Sequence, residues 1–237
     1  MGYLLGIDAG STNYKAIACD KTGCFLASAR RPANTKYHEN GWAETSPELI
    51  WEGVAACIAE VAAQLPGETC DGVAVASSGE DVLLDGNARS VHPAIRWFDT
   101  RTEAIAAAWE PFGREHIYRL TGINPNPVAS ITKMQWIKRY VPEAWARARL
   151  WIPIAGFISL KMTGKARAPW TNACRSMAFD LNRRDWSEEI LAEAGIDRSL
   201  LADPIRPGEQ IGTLTAAAAA ATGLKEGTPV FAGGVDY

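Results

Sequence analysis

The stretch Tyr3-Leu4-Leu5-Gly6-Ile7-Asp8-Ala9-Gly10-Ser11-Thr12-Asn13-Tyr14-Lys15-Ala16-Ile17-Ala18-Cys19 decides how the chain starts to fold. Tyr3 to Ile7 is an apolar run closed by Asp8-Ala9-Gly10-Ser11-Thr12, residues that mark a turn, and Tyr14 to Cys19 reads as the returning strand. Asp20-Lys21-Thr22-Gly23 predicts a second tight turn, with glycine where a positive φ is needed, and Cys24 to Ala29 a third strand. Turns this short make the three strands an antiparallel meander.

Working outward, a loop over Arg31 to Glu44 leads to a helix start. Thr45-Ser46-Pro47-Glu48 supplies a cap residue, a proline in the first turn and a capping-box glutamate. Ile50, Val54, Cys57, Ile58, Val61 and Leu65 then recur at helical spacing, and Pro66-Gly67 ends the helix. Gly72 to Ala76 reads as a buried strand and Val82 to Asp85 as another. Three strands, a helix and a strand give an α/β, ribonuclease-H-like unit, the half-domain common to actin, sugar kinases and Hsp70. From Thr102 to Leu201 a tryptophan-rich helical insert is expected, with a Pro-Asn loop from Gly122 to Ala129 and a short helix over Lys133 to Tyr140. The tail returns to sheet at Ile211 to Leu214, passes through an alanine helix stopped by Gly223, and ends in a strand at Val230 to Ala232.

Composition excludes several classes of function. The 237 residues carry a net charge of −3, with acids and bases interspersed, so there is no clustered basic face for nucleic acid. No apolar stretch approaches the ~20 residues of a membrane helix, and the N-terminus has no basic region of a signal peptide. The five cysteines are odd in number and lack C-x-x-C spacing, which points to buried free thiols in a reducing, cytoplasmic setting. His38, His92 and His116 are too scattered for a metal site or a triad.

Four blocks of the sequence together resemble the FGGY carbohydrate kinases. They are Gly6 to Lys15, Ala94-Ile95-Arg96-Trp97-Phe98-Asp99-Thr100-Arg101, Thr171 to Asp180, and Ala220 to Asp236, which ends Phe231-Ala232-Gly233-Gly234-Val235-Asp236. They occur in the family's order and span the chain. The resemblance implies a mixed sheet flanked by helices, with residues 1–237 as the sugar-binding N-terminal domain and the nucleotide domain absent from this chain. It implies ATP and Mg²⁺ as cofactors, a sugar or polyol as substrate, and leaves a homodimer open.

Phosphoryl transfer requires positioning and charge stabilisation above all. Gly10 lets a phosphate approach the backbone, successive amides in such a turn make an anion nest, and Ser11 and Thr12 add hydroxyl donors. Asp8 at a phosphate-rich turn suits Mg²⁺, and Lys15 offsets charge. The resemblance makes Asp236 the general base, ionised at neutral pH without any tuning. For the sugar it points to Ser77, Ser78 and Glu80, to Trp97 and Asp99, to Asn126, and to Asp236 itself. Ser77-Ser78-Gly79-Glu80-Asp81 matches neither the Gln-Arg-Glu of glycerol kinases nor the Gln-Met-His of xylulokinases, and a solvated turn is the competing reading. Val128 stands where glycerol kinases have a tyrosine, which argues against glycerol. The Thr171–Asp180 block reads as a structural strand pair. No G-x-x-x-x-G-K-[ST] occurs, against a P-loop enzyme. Two other functions remain: an inactive half-kinase that binds or senses a sugar, and an ATPase of the actin or Hsp70 type. On the kinase reading, the chain alone binds sugar but turns over ATP poorly.

Overall fold

The computed structural model describes residues 2–235. The opening strands form as the alternation requires: β1 (Gly2–Ala9), β2 (Asn13–Cys19) and β3 (Phe25–Pro32) pair antiparallel in sequence order. Gly23 sits at φ +86°, the positive value its turn predicts. The strand Thr69–Ser77 then lies parallel to β1, and Pro229–Val235 lies parallel to Thr69–Ser77. With Gln210–Thr213 at the far edge the six-stranded mixed sheet runs Gln210–Thr213, Pro229–Val235, Thr69–Ser77, β1, β2, β3. The three strands, helix and strand expected from the sequence are present, in a mixed sheet flanked by helices.

Alternation decides which face is buried. Tyr3, Leu5, Ile7 and Ala9 of β1 and Tyr14, Ala16 and Ala18 of β2 point into the core, whereas Leu4 and Ile17 on the other face are 44% and 46% exposed. The helix α1 (Pro47–Gln64) covers β2 and β3 with Ile50, Val54, Cys57, Ile58 and Val61. Ser46 caps it, accepting from the Leu49 amide at 3.4 Å. Glu48 does not complete the expected capping box. The cap is Ser46 and not Thr45, so Glu48 falls at the second helical position, and its carboxylate accepts from the Ser46 hydroxyl and from the amide and hydroxyl of Ser90. The alanine helix, Ala216–Thr222, is capped by Thr215, stopped by Gly223 at φ +70° and packed on α1.

Several segments depart from the expectation. The strand expected at Val82 to Asp85 forms as Asp81–Leu84, in a separate three-stranded sheet with Leu150–Pro153 and Ser90–His92. The Thr171–Asp180 block is a short helix, Trp170–Cys174, followed by Phe179–Asp180 paired with Asp185–Trp186, and not a strand pair. The helix expected from Lys133 starts earlier, at Ser130. All five cysteines are free, but only Cys57 and Cys70 are buried and Cys24 is exposed. Among the described residues no helix is long and apolar enough to cross a membrane.

Gly53 fixes the approach of α1 to the sheet. A Cβ there would stand 2.4 Å from Tyr14 Cδ2, on a ring that is 1% exposed. Gly53→Ala therefore sets helix propensity, worth about 1 kcal/mol in alanine's favour, against overpacking at about 1–3 kcal/mol. We expect a net loss of about 1 kcal/mol, read as a lower urea midpoint with unchanged slope. A stabilised variant would mean that Tyr14 yields freely.

Candidate active site

Two turns meet at the carboxyl ends of β1 and Thr69–Ser77. Ala9 is in register with Ser77, and the Ser78 amide donates to Ala9 O at 3.2 Å, so the segment after each strand leaves the sheet beside the other. The first turn is closed by Gly10 N donating to Asn13 O at 3.1 Å. A Cβ on Gly10 would lie 3.0 Å from Asn13 O and 3.5 Å from Asp8 Oδ1, so a side chain would crowd the turn. No hydrogen bond among the described residues uses the amides of Ser11 or Thr12. Asp8 Oδ2 accepts from Lys15 Nζ at 2.9 Å, with both side chains a third or more exposed, so solvent screens the pair. Asp8 Oδ1 has no partner among the described residues.

The second turn carries Glu80 inward. Its carboxylate is fully buried and accepts from Ser78 Oγ, from Arg96 Nη1 at 3.4 Å and from the Trp97 amide at 3.4 Å. It is not a solvated turn residue. Trp97 spans the two turns, since its indole Nε1 also donates to Ser11 Oγ at 3.4 Å. Arg96 donates through Nε and Nη2 to Thr35 Oγ1 at 2.9 and 2.6 Å, and Thr35 Oγ1 donates to Ser11 O at 3.4 Å. Ser11, Trp97, Glu80, Arg96 and Thr35 thus form a ring of contacts around one corner.

Charged residues support this corner from beneath. Lys133, 2% exposed, donates to Arg96 O at 2.8 Å. Burial drives its ammonium down to about 8, against the pull of Glu80, Asp81 and Asp99. Burial likewise pushes the Asp81 carboxyl up to about 6, against Ser130, Lys133 and Trp151. Asp81, Lys133 and Trp151 line a cavity of about 10 Å³, near the lower limit for one water.

The structure brings some of the sequence-predicted residues together and turns others inward. Asp8, Gly10, Ser11, Thr12, Lys15, Ser78, Glu80 and Trp97 share the corner. Ser77, fully buried, accepts from the Ala155 amide and Asn172 Nδ2 and donates to Ser78 O, so it holds backbone. Asp99 is 1% exposed, and its oxygens accept from Ala43 N, Arg101 N and both ends of the Arg101 guanidinium. Burial alone would raise its pKa, but those donors outweigh it and hold the carboxyl below the usual range. The Asn126 side chain closes its own turn, to Asn124 O and Val128 N. Asp236 lies outside the described residues. Thr171 was given no role from the sequence: its Oγ1 accepts from Val235 N at 3.0 Å and anchors the last described strand residue.

Residues 3–237 match the FGGY family of carbohydrate kinases, N-terminal domain. The chain belongs to that family. L-fuculokinase of Escherichia coli K12 is 32% identical over 98% of the chain and 50% of its own length. Xylulose kinase of Bacillus subtilis is 27% identical over 100% of the chain and 48% of its own length. The fold is that of xylulose kinase from Rhodospirillum rubrum, with a TM-score of 0.95 at 26% identity, 99% of this chain and 50% of that one. Gluconate kinase from Lactobacillus acidophilus superposes with a TM-score of 0.93 at 25% identity, over 99% of this chain and 48% of that one. The FGGY chain thus spans about half the length of the curated relatives it matches.

Sequence reasoning gave Arg96 and Lys133 of the FGGY chain no site role, because nothing local marks either cation as buried. Asp81 gives a measurable consequence. Its folded-state pKa stands above the unfolded value, so its contribution to stability is full below about pH 4 and lost as pH rises through about 6. Relative to Asp81→Asn, the wild type should lose on the order of 2–3 kcal/mol between about pH 4 and pH 7. Urea unfolding at several pH values reads this directly, and parallel pH curves for the two proteins would contradict it.

Proposed function

We propose that residues 1–237 form the sugar- or polyol-binding domain of an ATP-dependent carbohydrate kinase, with Asp236 as general base. The observation that carries this reading is the corner where Trp97 bridges Ser11 of the phosphate-type turn and Glu80 of the buried carboxylate segment. A neutral, hydroxyl-rich substrate fits beside it. The indole face packs against C–H surface, and substrate hydroxyls reach Ser78 and Glu80, both buried, by displacing the hydrogen bond between them. Ser77 and Asp99 hold the frame from behind, and Asn126 shapes the Pro-Asn loop by closing its own turn.

In the reaction, the substrate hydroxyl gives its proton to the Asp236 carboxylate as its oxygen bonds to the γ-phosphorus. The bond to the bridging oxygen breaks, and ADP leaves. The Ser11 and Thr12 amides, with the hydroxyls of the same residues and Lys15, stabilise the phosphate charge. Asp8 has one carboxylate oxygen without a partner among the described residues, beside that turn, which suits a single protein ligand to Mg²⁺. Among the described residues no cluster of three or more His, Cys, Asp or Glu could cage a metal, and Mg²⁺ on nucleotide phosphates needs only one or two carboxylates. When bound, Mg²⁺ offsets phosphate charge. We assign adenosine recognition to a second domain, outside the half of the relatives' length that the chain matches.

The test is ADP release by the protein as its gene encodes it, with MgATP and a panel of L-fuculose, D-xylulose, gluconate and glycerol. Turnover with one of the neutral sugars is expected, and Asp236→Asn should lower kcat by a factor on the order of 10²–10⁴ with little change in KM. No turnover on any acceptor would overturn the kinase reading in favour of a sugar-binding module. A fully active Asp236→Asn would remove the base from the mechanism.

A further inference from the structure

Arg96 is one of the largest fully buried side chains in the protein, and neither the phosphate turn nor the sugar segment accounts for a guanidinium there. A buried cation has to be compensated, and here the compensation is specific. Nη1 meets Glu80 Oε1 at 3.4 Å, while Nε and Nη2 converge on Thr35 Oγ1 at 2.9 and 2.6 Å. Its own carbonyl is held by Lys133 Nζ at 2.8 Å, so the backbone that carries the fork is pinned as well. Glu80 Oε1 also takes the Trp97 amide, and Oε2 takes Ser78 Oγ.

We propose that Arg96 is a positioning residue for substrate binding: it fixes the rotamer of Glu80, and so sets which carboxylate lone pairs face the sugar. This rests on the reading of Glu80 as a sugar ligand. Only a planar fork can hold Thr35 on one side and Glu80 on the other. The Lys ammonium is a point charge and would keep the pairing but lose the orientation. Thr35 acts through Arg96, tying the fork to the loop that reaches Ser11 O.

The experiment is steady-state kinetics of the protein as its gene encodes it, using MgATP and the fastest acceptor among L-fuculose, D-xylulose, gluconate and glycerol. Arg96→Lys should raise the acceptor KM about tenfold with kcat and the ATP KM nearly unchanged, because the lost interaction serves ground and transition states alike. Thr35→Val, which leaves the guanidinium in place, should raise it by a smaller factor. A fold defect would instead lower kcat through the active fraction and leave KM alone. Glu80→Gln should raise the acceptor KM, and Arg96→Lys in that background should add little, since both act through one contact.

An acceptor KM raised by Glu80→Gln but unmoved by Arg96→Lys and Thr35→Val would overturn the role of Arg96 alone. Independent, additive effects of Arg96→Lys and Glu80→Gln would do the same. A Glu80→Gln protein with wild-type KM would overturn the sugar-ligand reading, and this inference with it. Should Arg96→Lys fail to fold, Thr35→Val decides: an unchanged acceptor KM counts against the proposal, and a raised one with unchanged kcat supports it.

Discussion

The parallel pairing of β1 with Thr69–Ser77 is the constraint on which the site depends. Parallel strands end on the same edge of a sheet, so both outgoing segments must emerge side by side. Here the register is Ala9 with Ser77, and Ala9 O takes both the amide and the hydroxyl of Ser78. A slip of one residue would send Tyr3, Leu5 and Ile7 to the open face, so core burial specifies the register strongly. The Gly10–Thr12 turn and Glu80 are neighbours because Ile7 and Val75 are core.

Beneath that corner the protein buries an unusual density of charge. Arg101 is sealed between Asp99 and Glu44 and stacked on Trp42 and Trp136, with its guanidinium carbon 4.2 and 4.9 Å from the ring centroids. Arg96 and Glu80, with Lys133 and Asp81 below, repeat the pattern a few residues away. Buried ion pairs are weak contributors to stability, because the desolvation they cost roughly cancels their attraction. What they give is geometry. The loop from Ile95 to Thr102 has little regular structure, and these side chains hold it where hydrogen bonds of a helix or strand would otherwise be needed.

The framework was legible because it is local. Alternation in Tyr3–Cys19, the glycine turn at Gly23 and the helical spacing after Ser46 each involve residues a few positions apart. The corner was legible in part: Asp8, Gly10 and Trp97 lie in blocks that resemble family motifs, whereas Ser78 and Glu80 were singled out only by their place in the chain, in a segment that departs from the family's patterns. Arg96, Lys133 and Thr35 were not, because their partners lie 16, 37 and 61 positions away and nothing local marks a cation as buried. Asp99 resembled a substrate ligand by its block, whereas Arg101, two residues on, absorbs its oxygens. The strand Leu150–Pro153 was hidden inside a helical stretch, since it exists only by pairing with Asp81–Leu84.

The most direct measurement of the central claim is amide and indole NMR of this chain, titrated separately with L-fuculose or D-xylulose and with MgADP. The account predicts that the sugar moves the signals of Ser78, Gly79, Glu80 and the Trp97 indole, and that MgADP moves Gly10, Ser11 and Thr12. Shifts confined to another surface, such as the groove lined by Trp109, Lys138, Tyr140 and Glu193, would contradict it.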